Sequence, residues 1–310
     1  MIYTVTLNPA LDYVMHTGAL RTDDINRSVS ESLTYGGKGI NVSVILSRLG
    51  IAGKALGFIG GFTGEYLKKM LCEEGICCDF CEIAGNTRIN VKIKAETELD
   101  INAQGPAVSD AEIESLLAKI DAVCDGDYLV LAGSIPKNLP ADIYETILQR
   151  LHKKQVRFVI DATGDLLLHT LRYHPFLIKP NHHELGDLFG VQTDQEETVA
   201  HYAAKLQEMG AQNVLVSRSK DGAFLLDAQG KRHSAGAPAG KLINSVGSGD
   251  SMVAGFLAGF LQNGDYHAAL RLGIACGTAT AFSERLATAD KIHAILQKTE
   301  SHTKSGLSPE

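Results

Sequence analysis

The chain has 310 residues, 45% of them hydrophobic and 21% charged, with a formal net charge of −7 and a pI of about 5.9. These values suit one large α/β domain, although length alone would allow two. No tract of lysine and arginine occurs, which argues against nucleic acid or an anionic membrane as a partner. Residues 1–8 have the pattern of a strand rather than a signal peptide, and no apolar run is long enough to span a membrane. We therefore expect a cytoplasmic protein.

Six cysteines occur, and four of them fall between residues 72 and 81. Cys78 and Cys81 form a CxxC spacing, but no second pair or histidine at ligand spacing lies nearby to complete a zinc site. A redox CxxC would open a helix after a strand, whereas this one sits in a β-like run. We expect free, reduced thiols.

The first strand is predicted at Ile2–Leu7 and is broken by Asn8-Pro9, with Asp12 following. A carboxylate just past the carboxyl end of a strand is where α/β proteins contact ligands, although it can also serve only a turn. The segment Gly36-Gly-Lys-Gly-Ile-Asn41 then opens a helix that runs through Leu49. It is not a Walker A loop, because Lys38 is followed by glycine. It is either a plain loop or a close approach of backbone to a ligand, with Lys38 or Asn41 beside it.

Residues 87–93 alternate strictly between polar and apolar, which predicts a strand. Arg88, Asn90 and Lys92 share one face of it. This polar face either meets solvent or covers an anionic ligand.

From residue 109 onward, strand and helix patterns alternate. Ser109 with Glu112 forms a capping box, and Thr193 with Glu196 is predicted to cap a helix that ends near Met209. Strands separated by helix-length segments predict a mainly parallel, doubly wound sheet with ligands at the carboxyl ends of the strands. Five polar residues stand at such ends: Asp12, Ser134, Asp161, Asn181 and Ser217.

The stretch 243–261 turns on Gly247 and Gly249 and continues into an apolar helix. A glycine turn that feeds a helix directs free backbone N–H groups and the positive end of the helix dipole at one point, which is an anion site. Asp250 at the helix start would repel a resting phosphate. Either it only caps the helix, or it takes a proton from a group that attacks a passing phosphoryl group.

The two glycine segments, 36–41 and 246–255, together resemble the two signatures of the ribokinase-like sugar kinases, the phosphofructokinase-B family. The match spans nearly the whole chain, because 6–12, 87–91, 133–136 and 179–185 also fall in the family's order. It is nearest to the branch that phosphorylates sugar phosphates. Ser248 stands where the family usually has alanine, and Asp100 where glutamate is usual.

The resemblance implies ATP-dependent phosphorylation of the free primary hydroxyl of a ketohexose phosphate, with fructose 1-phosphate or tagatose 6-phosphate as candidate substrates and Mg²⁺ as the cofactor. It implies one kinase domain over 1–300 with a small β lid from about 13–35 and 86–106, and a lid-to-lid homodimer. The polar composition of 301–310 predicts a disordered tail. It implies that Asp250 is the catalytic base, helped by the amides of Gly247, Ser248 and Gly249.

The resemblance also assigns binding residues. The sugar phosphate is assigned to Asp12, Gly37, Lys38, Asn41, Arg88, Asn90, Ser134 and Arg27. The nucleotide is assigned to Lys179, Asn181, Ser217, Arg218, Ser219, Lys220, Asp221, Gly222 and Gly249. Glu184 matches the NxxE element linked to Mg²⁺ placement, although it could be only an exposed acid in the first turn of a helix.

Two other classes of function stay open. One is a non-catalytic sugar-phosphate sensor on the same fold, which an intact Asp250 with its amide turn disfavours. The other is a dehydrogenase, which the absence of GxGxxG after any predicted strand disfavours.

Overall fold

Residues 1–304 are described by a computed structural model, with side chains described through Thr299. The strands are β1 (Ile2–Thr6), β2 (Ala10–His16), β3 (Ser30–Gly36), β4 (Gly53–Ile59), β5 (Cys77–Cys78), β6 (Cys81–Glu82), β7 (Arg88–Lys94), β8 (Leu99–Ile101), β9 (Tyr128–Ala132), β10 (Arg157–Asp161), β11 (Leu177–Ile178), β12 (Asn213–Ser217), β13 (Ala223–Leu226) and β14 (Arg232–Ala235). The α-helices are α1 (Lys38–Arg48), α2 (Gly61–Glu73), α3 (Asp110–Ile120), α4 (Ile143–Leu151), α5 (Gly164–Thr170), α6 (His182–Phe189), α7 (Glu196–Glu208), α8 (Ser248–Asn263), α9 (Tyr266–Ala281) and α10 (Ala289–Lys304).

A ten-stranded sheet forms the centre of the molecule. Its order is β14-β13-β12-β11-β10-β9-β1-β4-β5, with β6 also paired to β4. Pairing is parallel from β5 to β12 and antiparallel between β12, β13 and β14. Helices cover both faces, since one core cluster contains side chains of α3, α4 and α7 and another contains those of α1, α8 and α9. This confirms the predicted doubly wound, mainly parallel fold.

A second sheet of four strands, the small sheet, has the order β3-β2-β7-β8. Its strands come from residues 10–36 and 88–101, which overlap the lid segments predicted at about 13–35 and 86–106. The face of β7 that carries Asn90 and Lys92 turns inward: Asn90 is buried, and the Lys92 side chain is 13% exposed. Ile89 on the opposite face is 38% exposed. The polar face therefore does not point to bulk solvent.

Helices α8 and α9 pack against each other through glycine. A Cβ at Gly255 would lie 2.6 Å from Cys276 Sγ, and one at Gly259 would lie 2.8 Å from Ala269 Cα. On α9, a Cβ at Gly273 or Gly277 would lie 3.0 Å from a carbonyl oxygen of the α8 backbone. Residues 250–259 of α8 are all buried, so the start of this helix is held firmly in the core.

Several local predictions can be compared with the structure. The capping box of Ser109 and Glu112 is confirmed at the start of α3. The cap predicted at Thr193 is wrong, because its hydroxyl donates to the His182 carbonyl and α7 starts after Gln195 without a side-chain cap. α10 extends to Lys304, and residues 305–310 of the predicted tail lie outside the described residues. Within the described chain, no helix combines the length and apolar character needed to cross a bilayer.

Candidate active site

The turn before α8 presents backbone amides to a cleft. Gly247 is the N-cap with φ +79°, a left-handed conformation that favours glycine. Ser248 N donates to Ser245 O, and Ser251 N donates to Gly247 O. Within the described chain, the N–H groups of Gly249 and Asp250 have no backbone acceptor. These amides and the helix dipole therefore supply positive potential at the floor of the cleft.

Two lysines and a buried aspartate lie beside this turn. Lys38 Nζ is 3.1 Å and Lys179 Nζ is 3.5 Å from Asp161 Oδ1. A Cβ on Gly249 would lie 3.1 Å from Lys179 Nζ, so the ammonium sits directly over the turn. Burial pushes the pKa of Asp161 upward, but Lys179 and Lys38 outweigh it and lower that pKa below the ordinary value. Asp161 is therefore the fixed negative charge that holds both ammonium groups.

Asp250 has the perturbation expected of a proton acceptor. It is 5% exposed, and its Oδ2 accepts a 2.8 Å hydrogen bond from Asn41 Nδ2. Burial and the charge of Asp161 raise the pKa of Asp250 to about 7, against the opposing effects of Asn41, Lys38 and Lys179. A base whose pKa lies near the working pH is well matched to proton transfer.

The residues predicted to hold the sugar meet where the small sheet joins the large one. Asp12 Oδ1 accepts from Asn90 Nδ2 at 2.8 Å across the register of β2 and β7. Gly36 leaves room for this pair, because a Cβ there would lie 2.7 Å from Asp12 Oδ1. Arg88 gives three of its five N–H groups to backbone carbonyls of Asn8 and residue 103, so it can offer a ligand only the remaining ones.

Other predicted sugar residues divide into two groups. Gly37, with φ +128°, and Ser134 line the cleft. Arg27 lies in the exposed loop between β2 and β3, and the structure does not place it among the cleft residues of its own chain. In this respect the structure departs from the prediction.

The predicted nucleotide residues follow β11 and β12. Lys179, Asn181 and Ser217 line the cleft, and residues 181 and 217 are bridged in parallel. The segment Ser219–Asp221 forms an exposed 3₁₀ turn outside the cleft lining, closed by Gly222, and Arg218 pairs with Glu196 at 2.6 Å. The exposed turn therefore lies at the outer end of the path that the nucleotide was predicted to take.

Glu184 also has a structural role. Its Oε2 accepts from Asn181 N at 2.7 Å while Asn181 Oδ1 accepts from Glu184 N, which is a capping box at the start of α6. Glu184 also lines the cleft. Burial lowers the pKa of Lys38, but the charges of Asp161, of Asp250 and, to a smaller extent, of Glu184 raise it above the ordinary value.

Most of the predicted site residues line one cleft of about 1790 Å³ between the carboxyl edge of the large sheet and the small sheet; Arg27, Asn90, Ser248 and residues 218–222 do not. Two functional features cannot be assigned from the sequence. One is the role of Asp161, which the sequence marks only as a polar residue at a strand end. The other is Tyr144, which lies under the 133–134 turn and whose hydroxyl donates to Gly133 O at 3.0 Å. The helix-core position of Tyr144 gives no signal of this contact.

A cleft that joins a turn of free amides, paired lysines and a buried carboxylate is suited to moving a phosphoryl group onto a polar acceptor. Comparison with known proteins agrees: residues 5–292 match the pfkB family carbohydrate kinases, and the chain belongs to that family. It is therefore a sugar phosphotransferase, and ATP is the substrate that membership implies.

Particular relatives narrow the comparison. The chain is 47% identical to 1-phosphofructokinase of Bacillus subtilis, over 97% of this chain and 99% of that protein. It is 39% identical to D-tagatose-1-phosphate kinase of Bacillus licheniformis, over 94% and 96%. Phosphofructokinase-2 of Escherichia coli is 28% identical over 96% and 99%, with TM-scores of 0.90 in complex with substrates and products and 0.89 in a tetrameric inhibited form.

Proposed function

We propose that the chain transfers the γ-phosphoryl group of ATP to the 6-hydroxyl of fructose 1-phosphate and so forms fructose 1,6-bisphosphate. The observation that carries the proposal is Asp250, buried with a raised pKa at the head of a turn whose amides face the cleft. The 47% identity to a 1-phosphofructokinase over nearly the full length of both chains supports the choice of substrate.

In the proposed step, the 6-oxygen attacks the γ-phosphorus and forms a new O–P bond. The bond between that phosphorus and the oxygen bridging to the β-phosphate breaks, and ADP leaves with the electron pair. The proton of the 6-hydroxyl passes to Asp250. The free amides of Gly249 and Asp250 and the Lys179 ammonium stabilise the charge on the moving phosphoryl group, which is the main contribution of a protein to phosphoryl transfer. The Ser248 amide, which was predicted to help, is instead bonded to Ser245 O.

The phosphate already on the sugar needs a fixed cation. We assign it to Lys38 and Arg88. The Lys38 side chain is 37% exposed, whereas that of Lys179 is 5% exposed, so Lys38 can reach a second anion while Asp161 holds it. Arg88 lies at the base of the small sheet and can point its remaining N–H groups at two phosphate oxygens. Asp12, with Asn90 behind it, is placed to accept sugar hydroxyls.

ATP would lie along 217–222 with its phosphates toward Lys179. Magnesium in such sites is held mostly by triphosphate oxygens and water, with one or two carboxylates of the protein. The Glu184 carboxylate, in the cleft and close enough to act on Lys38, fits that role through water. When bound, Mg²⁺ would offset the triphosphate charge.

A second substrate is D-tagatose 1-phosphate, which the 39% identity to a tagatose-1-phosphate kinase favours. It differs from fructose 1-phosphate in configuration at carbon 4 and presents the same free 6-hydroxyl. Tagatose 6-phosphate, the other predicted candidate, would instead present the 1-hydroxyl.

ADP release with Mg·ATP against fructose 1-phosphate, tagatose 1-phosphate, tagatose 6-phosphate, fructose 6-phosphate and free hexoses tests the proposal. We expect the highest kcat/KM with fructose 1-phosphate. In Asp250→Asn, kcat should fall by about 10² to 10⁴. Near wild-type kcat in a folded Asp250→Asn protein would remove the base from the mechanism, and no turnover with any sugar would favour the sensor.

We also propose that the small sheet acts as a lid and that a second copy covers its outer face. The register places Ile101 opposite Val91 and Leu99 opposite Ile93, so these side chains share the face of Ile89. Leu99 and Ile101 are 45% and 55% exposed. Sedimentation should show a dimer that weakens in Ile101→Lys. A cytoplasmic location stays a prediction, in keeping with six unbridged cysteines.

A further inference from the structure

Asn41 makes a contact that its predicted role does not explain. The sequence resemblance assigns it to sugar hydroxyls, yet its Nδ2 donates to Asp250 Oδ2 at 2.8 Å, and it is only 9% exposed. The bond joins the first turn of α1 to the first turn of α8 across 209 residues of sequence. The two glycine segments therefore meet through the carboxylate proposed as the base.

We propose that Asn41 is a positioning residue for the base, which fixes the Asp250 carboxylate and favours its ionised form. The inference rests on the proposed role of Asp250 and deepens it. One amide hydrogen held on Oδ2 leaves Oδ1 as the oxygen that meets the attacking hydroxyl.

The surroundings leave Asn41 little freedom. A Cβ on Gly247 would lie 3.5 Å from Asn41 Nδ2 and 2.6 Å from Leu286 Cδ2, so the carboxamide is packed against the turn itself. The Asn41 backbone N–H donates to Gly37 O at 2.9 Å, which holds the residue in the helix. A short, neutral donor fits this space without adding charge beside the base.

The charges that face Asp250 come from three elements. Asp161 at the end of β10 raises its pKa, whereas Lys38 of α1 and Lys179 after β11 lower it. Asn41 adds a donor that also lowers the pKa. Because a hydrogen bond to the charged form favours that form, loss of this donor should raise the pKa and reduce the ionised fraction at neutral pH.

The test compares pH profiles of kcat/KM for Asn41→Leu, which keeps the approximate size and removes the donor, and Asn41→Asp, which keeps the size and adds a carboxylate. We expect the acid limb to move upward by about one pH unit in Asn41→Leu and further in Asn41→Asp. Activity at pH 7 should fall by about fivefold in Asn41→Leu and by more in Asn41→Asp, and it should recover at pH 9. The use of two variants covers the case in which one fails to fold.

Ser43→Ala is the matched control. Ser43 is also buried on α1 and bonds Thr4 Oγ1 at 2.6 Å, but it does not touch Asp250, so its loss should leave the acid limb in place. An unmoved limb in the Asn41 variants, with KM for the sugar phosphate raised more than kcat falls, would overturn the inference in favour of direct sugar binding. Asp250→Asn measured alongside separates the cases: wild-type kcat there refutes the base itself, whereas an inactive Asp250→Asn with an unmoved Asn41 limb refutes only the positioning role.

Discussion

Replacement of Gly249 by alanine should disable the turn without unfolding the protein. The added Cβ would lie 3.1 Å from Lys179 Nζ and 3.3 Å from Lys179 Cε, both at the far end of a flexible side chain. Gly249 is not among the glycines with positive φ, so alanine fits the backbone. The ammonium must therefore retreat by a few tenths of an ångström or more from the point where the phosphoryl group passes.

The size of the effect follows from what the ammonium does there. Removal of one preorganised donor costs about 10² to 10³ in kcat, and a shift of part of an ångström should cost less, about 10- to 100-fold. KM for the sugar phosphate should change little, because Lys38 and Arg88 are untouched. Steady-state kinetics with both substrates varied would measure kcat and KM, and a denaturation curve would measure the stability of the variant.

Gly236→Ala is the control, since a Cβ there has nothing within 4 Å and should leave kcat unchanged. If Gly249→Ala is folded and keeps wild-type kcat while its structure shows Lys179 displaced, then the ammonium does not act on the transferred group. If Gly249→Ala is destabilised so much that its unfolded fraction accounts for the whole loss of activity, the reasoning is also refuted.

Three further results are expected. The kcat/KM of the wild-type enzyme should fall about tenfold per pH unit below pH 7, because the base acts only when ionised and its pKa is about 7; a limb below pH 5 would contradict this. Arg88→Ala should raise KM for the sugar phosphate about 10- to 100-fold and KM for ATP far less, and equal rises would argue against phosphate contact. Gly222→Ala should lower the free energy of unfolding by about 3 kcal/mol, since φ is +80° and the Cβ would meet Ala235 O at 2.0 Å. Gly230→Ala, with φ +76° and no atom within 4 Å, isolates the backbone strain and should cost about 1 kcal/mol; equal losses in urea denaturation would contradict the clash.

The sequence was sufficient to predict the large sheet and the position of the cleft. Alternating strand and helix patterns imply parallel strands, and the carboxyl ends of parallel strands share one edge, which is why Ser134, Asn181 and Ser217 meet there. The glycine turn at 247–249 was predictable because a left-handed residue before a helix is a local requirement.

Contacts that depend on packing could not be predicted. The Asn41–Asp250 bond requires α1 to lie against α8, and no local pattern specifies how those two helices meet. Arg88 was expected to be free for phosphate, yet carbonyls of distant loops take three of its N–H groups. The Thr193 cap failed for the same reason, because the His182 carbonyl competed for its hydroxyl.

The glycine contacts between α8 and α9 have a consequence for heat inactivation. Local opening needs a segment with few buried contacts, and residues 250–259 of the helix that carries Asp250 are all buried. Warming therefore cannot loosen the proton acceptor while the rest of the molecule stays folded. Activity should be lost at the same temperature at which the whole sheet unfolds cooperatively.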